Sequence, residues 1–446
     1  MTTGTATAFR FSTKSTKYSL DLGLLLRANG EPFELWAERP SYSKPIRAEW
    51  RTSRGAVRLP EDAMASNLGG LADFLQIEIS DPSGATISRQ SLTLCVGADP
   101  HRLSPDAPSD NPYPRACPYH PYTLGTVQGL PAGWGTSLYA RRPIKLADGG
   151  PTHLTLRASV APKYVAMFGL DPSQSAVTSD MAVETDPNAY YRDHPAASPA
   201  PPRLEPHRSE PEVPSRGKPS GASVDLRSLP AFDMKVAGKG TRLRFGATVW
   251  NAGDAPLVID GFREKGADEM TAYQYFYDQA GKETGHQEVG EFHYHEANHN
   301  HWHYEDFARY RLLRVDGSEV APSGKQSFCL ANTDAVDLTY PGAKWNIYNT
   351  DLSSACGKRS VITLREVLLQ GSGDTYHQIR AGQAIDISGV PNGKYILSVE
   401  ANPFGRLVES DVSNNVSHRV IWLKGSGDHR RVVAEQIGII DESILR

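Results

Sequence analysis

Short runs of alternating apolar and polar residues recur along both halves of the chain. Gly, Pro, Asn or Asp closes each run, as is typical of strands separated by turns. Amphipathic helical patterns are scarce, and short helices are expected only after Asp351 and beyond Arg430. The pattern predicts a mostly β protein built from antiparallel sheets. Examples of the predicted strands are 33–37, 75–79, 92–96 and 154–160 in the first half, and 243–250, 395–401 and 416–423 in the second.

A proline-rich segment separates the two β-rich halves. Eight of the 32 prolines lie between Pro195 and Pro219, among Ser, Arg, Glu and Lys. A segment with so few large hydrophobic residues buries too little surface to fold, and its prolines hold it extended. We therefore predict two antiparallel β-sandwich-like domains joined by a Pro-rich linker. The predicted limits are 8–168 for an N-terminal β-domain of unknown role, 169–223 for the linker and 224–438 for the second domain.

Composition narrows the possible partners. The 446 residues include 22% charged and 39% hydrophobic residues, which fits a globular protein. A formal net charge of -4 is too balanced for a chain built to neutralise nucleic-acid phosphates. No run of 18 apolar residues occurs, so we expect no membrane span. The first residues lack the apolar core of a secretory signal, which leaves a cytoplasmic chain or one whose export segment is absent from this sequence.

The four cysteines form one pair in each half of the chain: Cys95 with Cys117, and Cys329 with Cys356. That distribution favours one disulfide per domain and an oxidising compartment, the alternative being four buried free thiols. The single CxxH spacing, from Cys117 to His120, has no second ligand pair nearby that would complete a zinc site.

Histidine is concentrated in one short segment, where six of the 14 histidines lie within positions 286–303. In HNHWH, His299, His301 and His303 alternate, so a strand would send all three to one face, with Cα atoms about 6.6 Å apart. Their nitrogens could then bind one ion at about 2 Å each. Imidazole suits Zn, Cu, Fe and Ni, and three histidines with an open position indicate a catalytic or redox ion. The alternative is a solvated polar strand.

The same residues carry a second motif. His299, His301 and Glu305 have the HxHxxxE spacing of a cupin metal site, which would indicate an oxygenase or isomerase. Cupins need a glycine six positions before the first histidine, where this chain has His293, and a second motif that is not found. We interpret the cupin spacing as accidental.

Four segments in order resemble the catalytic domain of lysyl oxidases, which are copper-dependent amine oxidases. The resemblance covers about 224–423, and the extra N-terminal β-domain is similar to that of bacterial secreted members. The four segments are HNHWHYEDFARYRLL (299–313), GKQSFCL (324–330), GDTY (373–376) and GKYILSVEANP with ESDVSNN (393–403 and 409–415).

The resemblance implies copper held by His299, His301 and His303, and a lysine tyrosylquinone cofactor formed from Lys325 and Tyr376. It implies that a primary amine or peptidyl lysine reacts with dioxygen to give an aldehyde, ammonia and hydrogen peroxide. The family context also leads us to expect an extracellular protein. The alternative function is a secreted copper- or zinc-binding β-module without oxidase activity.

A general base and two disulfides complete the expected site. Asp374 lies two residues before Tyr376 and would share its face of an extended strand. The alternative bases are the histidines at positions 293, 295 and 377. Within this resemblance we predict a Cys329–Cys356 disulfide that ties the two cross-linking segments together, with Cys95 bonded to Cys117 in the other domain.

Overall fold

The structure is a computed structural model of the chain. It describes residues 1–114, 117–186, 209–295, 300–322, 327–345, 354–380 and 383–442, with the backbone alone at positions 2, 3, 141 and 295. The predicted mostly β fold is confirmed, since strands make up 49% and helices 3% of the residues. The sheets are largely antiparallel.

The chain forms two compact units. The first comprises Met1–Glu38, Ile46–Cys117 and Val127–Arg203, and the second comprises Arg39–Pro45, Pro118–Thr126 and Leu204–Arg446. The second unit therefore includes two short segments of the N-terminal half, which pattern reasoning did not foresee. The predicted domain limits stay a prediction, and residues 187–208 of the predicted linker lie outside the described residues.

Alternation along the chain produces the strands of the first unit. β4, β7 and β12 fall on predicted strands, while the run predicted at 92–96 is the end of β8. The strands are β1 (Thr2–Thr3), β2 (Ala6–Arg10), β3 (Lys17–Arg27), β4 (Phe33–Glu38), β5 (Arg47–Thr52), β6 (Gly55–Arg58), β7 (Leu71–Ser80), β8 (Thr86–Leu94), β9 (Pro100–Arg102), β10 (Gly125–Leu130), β11 (Trp134–Lys145), β12 (His153–Val160) and β13 (Ala176–Thr185).

Two sheets enclose the core of the first unit. One has the order β8-β7-β12-β13-β2-β3-β11-β9, with β1 on β3, and the other has the order β10-β4-β5-β6. Along β3 and β12 every second residue is buried, as in a sheet with one covered face. Strand β13 lies within the predicted linker and pairs in parallel with β2.

The helical elements differ from expectation. The α-helix α1 (Pro162–Met167) begins with proline in its first turn, where the missing N–H needs no partner. One 3-10 turn follows at Pro172–Gln174 and another lies at Gly427–His429. The expectation of a helix beyond Arg430 was wrong, because Arg431–Ala434 pairs with the preceding strand. The start of the other expected helix, 351–353, lies outside the described residues. No described helix has the length and apolar character needed to cross a bilayer.

The second unit contains the predicted strands 243–250, 395–401 and 416–423 as β17, β28 and β29. Its strands are β14 (Ser215–Gly217), β15 (Leu226–Ser228), β16 (Phe232–Ala237), β17 (Arg242–Asn251), β18 (Leu257–Phe262), β19 (Glu269–Tyr277), β20 (Glu283–His295), β21 (His301–Tyr304), β22 (Ala308–Leu313), β23 (Glu319–Pro322), β24 (Asp334–Ala335), β25 (Thr363–Leu368), β26 (Ser372–Tyr376), β27 (Ala384–Asp386), β28 (Gly393–Ala401), β29 (Val416–Lys424) and β30 (Arg431–Ala434).

Three sheets pack around the main core of the second unit. Their orders are β14-β20-β19-β18-β25 with β21 on β20, β15-β17-β26-β24 with β16 and β27 on β17, and β23-β22-β28-β29-β30. The core between them is rich in aromatic rings, including the fully buried Trp302, Phe292 and Phe307.

The sheet β15-β17-β26-β24 is covered on both sides. Val249 lies opposite Asp374 in the ladder between β17 and β26, and Thr248 lies opposite Thr375. Because side chains alternate along a strand, these pairs occupy opposite faces. The inner face carries Val249, Asp374 and Tyr376 and turns toward the main core. The outer face carries Thr248, Thr375 and Trp250, and Trp250 belongs to a separate apolar cluster with Tyr122 and Phe232.

Candidate active site

The two described histidines of HNHWH lie side by side. His301 and His303 belong to β21, and their Nε2 atoms are 2.9 Å apart. His303 is 1% exposed, and its Nδ1 lies 3.3 Å from the Ser327 hydroxyl. The expectation that alternation places these imidazoles on one face holds for this pair. His299 lies outside the described residues.

The donor set at this position fits a metal ion. Neutral imidazole nitrogens bind zinc and related ions at about 2.0 Å, so two nitrogens 2.9 Å apart can both contact one ion. Trp302 and Tyr304, which flank His303 in the same strand, are also buried. The third ligand named by the resemblance, His299, precedes this strand by two residues.

Tyr376 ends the fully buried strand β26. Its phenol oxygen accepts a hydrogen bond of 3.0 Å from the backbone N–H of Cys329, and its ring meets the Phe328 ring edge to face at 4.5 Å. Burial, and after it the charge of Asp374, raises the pKa of the Tyr376 phenol above its ordinary value. The phenol is therefore neutral at physiological pH.

A three-residue segment links the histidine pair to Tyr376. Phe328 and Tyr304 exchange two backbone hydrogen bonds of 2.8 and 3.0 Å, which fixes the segment Ser327–Cys329 beside β21. One end of the segment reaches His303 through Ser327, and the other reaches Tyr376 through Cys329. The predicted cross-linking residue Lys325 precedes this segment by two positions and lies outside the described residues.

Both predicted disulfides are confirmed. Cys329 is bonded to Cys356 with a Cα–Cα distance of 5.7 Å, and Cys95 is bonded to Cys117 at 5.8 Å. The first bond holds the segment that donates to Tyr376. The two pairings support the expectation of an oxidising compartment.

The inner face of β26 carries a cluster of buried acidic groups and phenols. Asp374 is 1% exposed, and its charge raises the pKa values of Glu366, Tyr310 and Tyr376, although burial is the largest cause in each case. Glu366 is fully buried, and one carboxyl oxygen accepts a hydrogen bond of 2.8 Å from the Leu330 N–H. Burial raises the pKa of this carboxyl well above its ordinary value, which favours the neutral form.

The alternative bases lie in different environments. His293 is directly opposite His303 in the ladder between β20 and β21, and its Nε2 lies 3.3 Å from Glu291 and 3.7 Å from Glu269. His377 follows Tyr376 and turns to the outer face, where its ring lies 6.2 Å from that of Phe232. The side chain of His295 is not among those described. Asp374 is thus the candidate base that shares the inner face with Tyr376.

Potential metal ligands also cluster elsewhere among the described residues. Ligand atoms of Glu269, Glu291 and His293 lie within 4.8 Å of one another, on a largely exposed surface. A second group combines Glu366 with Cys329 and Cys356. The sulfurs of that group are bonded to each other, so they are not available as thiolate ligands.

Sequence reasoning missed three residues of this region. Ser327 lies in the quoted GKQSFCL segment, but nothing indicated that its hydroxyl would approach a histidine. Glu366 and Tyr310 lie in ordinary strand patterns of β25 and β22. Their burial beside Asp374 follows from the packing of different sheets, which local periodicity does not encode.

Glycine is required where GDTY begins. A Cβ atom added at Gly373 would lie 2.7 Å from the Cγ2 of Thr248 and 2.9 Å from that of Val336. Both distances are shorter than carbon atoms allow, so a side chain here would push β26 away from its neighbours. Gly373 therefore lets the strand that carries Asp374 and Tyr376 lie close to β17.

A known protein family matches the part of the chain that carries the candidate site. The lysyl oxidase family model matches residues 279–432, which include the histidine pair, the Cys329–Cys356 disulfide, Asp374 and Tyr376. Residues 279–432 of this chain belong to the lysyl oxidase family. The match begins later than the resemblance expected from the motifs. The bacterial secreted type stays a prediction.

Vertebrate relatives match the same family. The chain is similar to lysyl oxidase homolog 4 of Mus musculus, with 33% identity over 33% of this chain and 19% of the relative. It is 34% identical to lysyl oxidase homolog 2 of Gallus gallus, over 26% of this chain and 13% of the relative. Lysyl oxidase homolog 4 of Homo sapiens is 36% identical over 28% of this chain and 16% of the relative. The chain thus spans less than a fifth of the length of each of these relatives.

Proposed function

We propose that this chain is a copper-dependent primary-amine oxidase that uses a lysine tyrosylquinone. The observation that carries the proposal is the segment Ser327–Cys329, which approaches His303 at one end and donates to Tyr376 at the other. Family membership of 279–432 supports the same chemistry.

Different residues of the chain would hold the metal and form the cofactor. His299, His301 and His303 would hold copper, and Lys325 and Tyr376 would form the quinone. When bound, copper with dioxygen supplies the oxidation of a phenol ring, and the resulting quinone supplies a carbonyl that takes up the electrons of an amine.

Asp374 would serve as the general base. A base must take a proton from the carbon beside the substrate nitrogen, and a positioned carboxylate can accept that proton. The carboxylate shares the inner face of β26 with Tyr376. The overall reaction converts a primary amine, dioxygen and water into an aldehyde, ammonia and hydrogen peroxide. We propose small primary amines or peptidyl lysine as substrates and an extracellular location, which the two disulfides favour.

A mass measurement tests this proposal directly. The full chain is incubated with Cu²⁺ under air, digested and analysed for a peptide that joins Lys325 to Tyr376. We expect the cross-linked peptide in the wild type and its loss in Tyr376→Phe and Lys325→Arg. Separate, unmodified peptides at full copper occupancy would contradict the proposal.

The alternative is a copper- or zinc-binding module without oxidase activity. The histidine pair favours it independently, because two nitrogens 2.9 Å apart can bind an ion without any cofactor. Metal binding does not distinguish the two functions. Release of hydrogen peroxide from a primary amine, measured with wild type and Tyr376→Phe at equal copper occupancy, does.

A further inference from the structure

A segment from the N-terminal half covers the outer face of the strand that carries Tyr376. Pro118–Thr126 belongs to the second unit. The Leu124 N–H donates to the carbonyl of Val336 at 2.6 Å, and the Thr123 hydroxyl donates to that of Ala335 at 3.0 Å. Gly125 pairs with Asp337 in a parallel bridge. The segment therefore docks beside β24, which is the neighbour of β26 in the sheet.

His120 is the residue of this segment that contacts β17. It is 1% exposed, and its ring meets that of Phe232 edge to face at 4.4 Å. Its Nδ1 accepts a hydrogen bond of 3.0 Å from the Tyr122 N–H, so the proton of the neutral ring is on Nε2. Nε2 lies 2.8 Å from the Thr248 hydroxyl and therefore donates to it.

The hydrogen bond continues into β26. The Thr248 hydroxyl, whose oxygen accepts from His120, also shares a hydrogen bond of 2.7 Å with the Thr375 hydroxyl. Thr248 and Thr375 are directly opposite in the ladder between β17 and β26. Thr375 lies between Asp374 and Tyr376 in sequence, so the chain of bonds ends on the backbone unit that orients both.

Burial keeps the His120 imidazole neutral, which is the form that accepts at Nδ1 and donates at Nε2. It lowers the pKa of His120 to about 4, against a smaller opposing effect of Asp334 and a further lowering by His377. The ring is therefore neutral between pH 5 and 8. A neutral ring with one donor and one acceptor matches its two partners, and it keeps the same bonding direction throughout that range.

We propose that His120 is a positioning residue, which fixes the backbone of β26 through Thr248 and Thr375 and thereby aligns Asp374 and Tyr376 on the inner face. The inference rests on the proposed function for its catalytic consequence. Residue 120 lies outside the family match at 279–432, so the N-terminal half supplies a component of the site that the matched region lacks. It also gives a role to the CxxH spacing: Cys117 forms a disulfide and His120 supports the site strand.

Hydrogen exchange of the full chain without copper tests the structural part. The variants are His120→Asn, which keeps an acceptor for the Tyr122 N–H but does not reach Thr248, and His120→Gln, which places its amide near the Nε2 position. Thr248→Val removes the linking hydroxyl and leaves His120 in place. We expect peptides that contain 373–376 to exchange about tenfold faster in His120→Asn and Thr248→Val, and less than about threefold faster in His120→Gln.

The controls separate positioning from general stability. His418→Asn changes an exposed histidine of β29 in the same unit and should leave exchange at wild-type rates. Peptides of β12 in the first unit serve as an internal reference. Wild-type exchange of 373–376 in His120→Asn or in Thr248→Val would overturn the proposal. So would faster exchange in His120→Gln than in His120→Asn, since that order would assign His120 to the turn at Tyr122 alone.

Cross-linking with copper tests the catalytic part. At equal copper occupancy, we expect the Lys325–Tyr376 peptide to form about tenfold more slowly in His120→Asn and near the wild-type rate in His120→Gln. An unchanged rate in His120→Asn would overturn the catalytic role. If the wild type forms no cross-linked peptide, the proposed function fails, and the exchange measurements still decide whether His120 fixes β26.

Discussion

The backbone N–H of Cys329 donates a hydrogen bond to the phenol oxygen of Tyr376, and this bond joins two parts of the chain 47 residues apart. The same cysteine forms the disulfide with Cys356. One covalent bond and one hydrogen bond thus meet at a single residue. The position of the phenol is consequently defined by the segment that follows Lys325 in sequence.

Replacing Tyr376 by phenylalanine separates the structural and chemical roles of the phenol. The variant leaves the Cys329 N–H without its acceptor in a partly buried site, so we expect the free energy of unfolding to fall by about 1 kcal/mol. Chemical denaturation with urea measures this loss. Tyr395→Phe is the matched control, since Tyr395 donates to the Pro391 carbonyl at 2.8 Å outside the site. Only Tyr376→Phe should also abolish the cross-linked peptide.

The geometry of the histidine pair predicts that substitutions of His301 and His303 weaken copper binding more than a substitution of His293. His301→Asn and His303→Asn each remove one of two nitrogens 2.9 Å apart, and each should weaken Cu²⁺ binding by at least about tenfold. His293→Asn should stay within about threefold of wild type, because the His293 ring is directed at Glu291 and Glu269. Isothermal titration calorimetry compares the three variants. Equal losses in all three would instead assign His293 to the metal site.

Local periodicity predicted several of the strands but not their assembly. The runs at 154–160 and 243–250 are strands, as predicted, because alternation of apolar and polar residues indicates directly which side chains a strand buries. The pairing of three sheets, and the arrival of His120 from residues far earlier in the chain, depend on tertiary packing. A histidine between two prolines in CPYHPY carries no signal of a partner in β17.

The candidate site was predictable to the extent that it is local in sequence. HNHWH placed His301 and His303 on one strand face, and GDTY placed Asp374 two residues before Tyr376. Glu366 was not predicted, because its strand pattern is that of any buried strand and its proximity to Asp374 arises only when β25 and β26 meet in the fold. The roles of Lys325 and His299 stay predictions.

Removing the Cys329–Cys356 disulfide should weaken the site more than removing the Cys95–Cys117 disulfide. The two bonds close loops of similar length, with sequence separations of 27 and 22, so each should contribute about 3 kcal/mol through the entropy of the unfolded chain. The double Cys→Ala variants of the two pairs therefore control for each other. We expect only the Cys329/Cys356 variant to slow formation of the Lys325–Tyr376 peptide. Equal rates in the two variants would show that the disulfide does not position the Cys329 N–H.

Removing the charge of Glu366 should stabilise the folded protein. Burial raises the pKa of its carboxyl well above the ordinary 4.5, so the folded state binds this proton more tightly than the unfolded state. Between pH 4.5 and the raised pKa, the wild type therefore loses stability as the pH rises, and it stays at the lower value above that pKa. Glu366→Gln keeps an oxygen for the Leu330 N–H without a charge.

We expect Glu366→Gln to unfold at a higher temperature than wild type at pH 8, with the difference shrinking steadily toward pH 4.5. Melting curves of both proteins between pH 4.5 and 8 measure it. Glu409→Gln is the control: its carboxyl is partly buried, and both of its oxygens accept hydrogen bonds, from Asn402, Asn415 and the Leu226 N–H. The NH₂ group of the glutamine would face an N–H donor that the carboxylate accepts from, so this variant should be less stable than wild type. A Glu366→Gln difference that is independent of pH would mean that the buried carboxyl has the same proton affinity in both states.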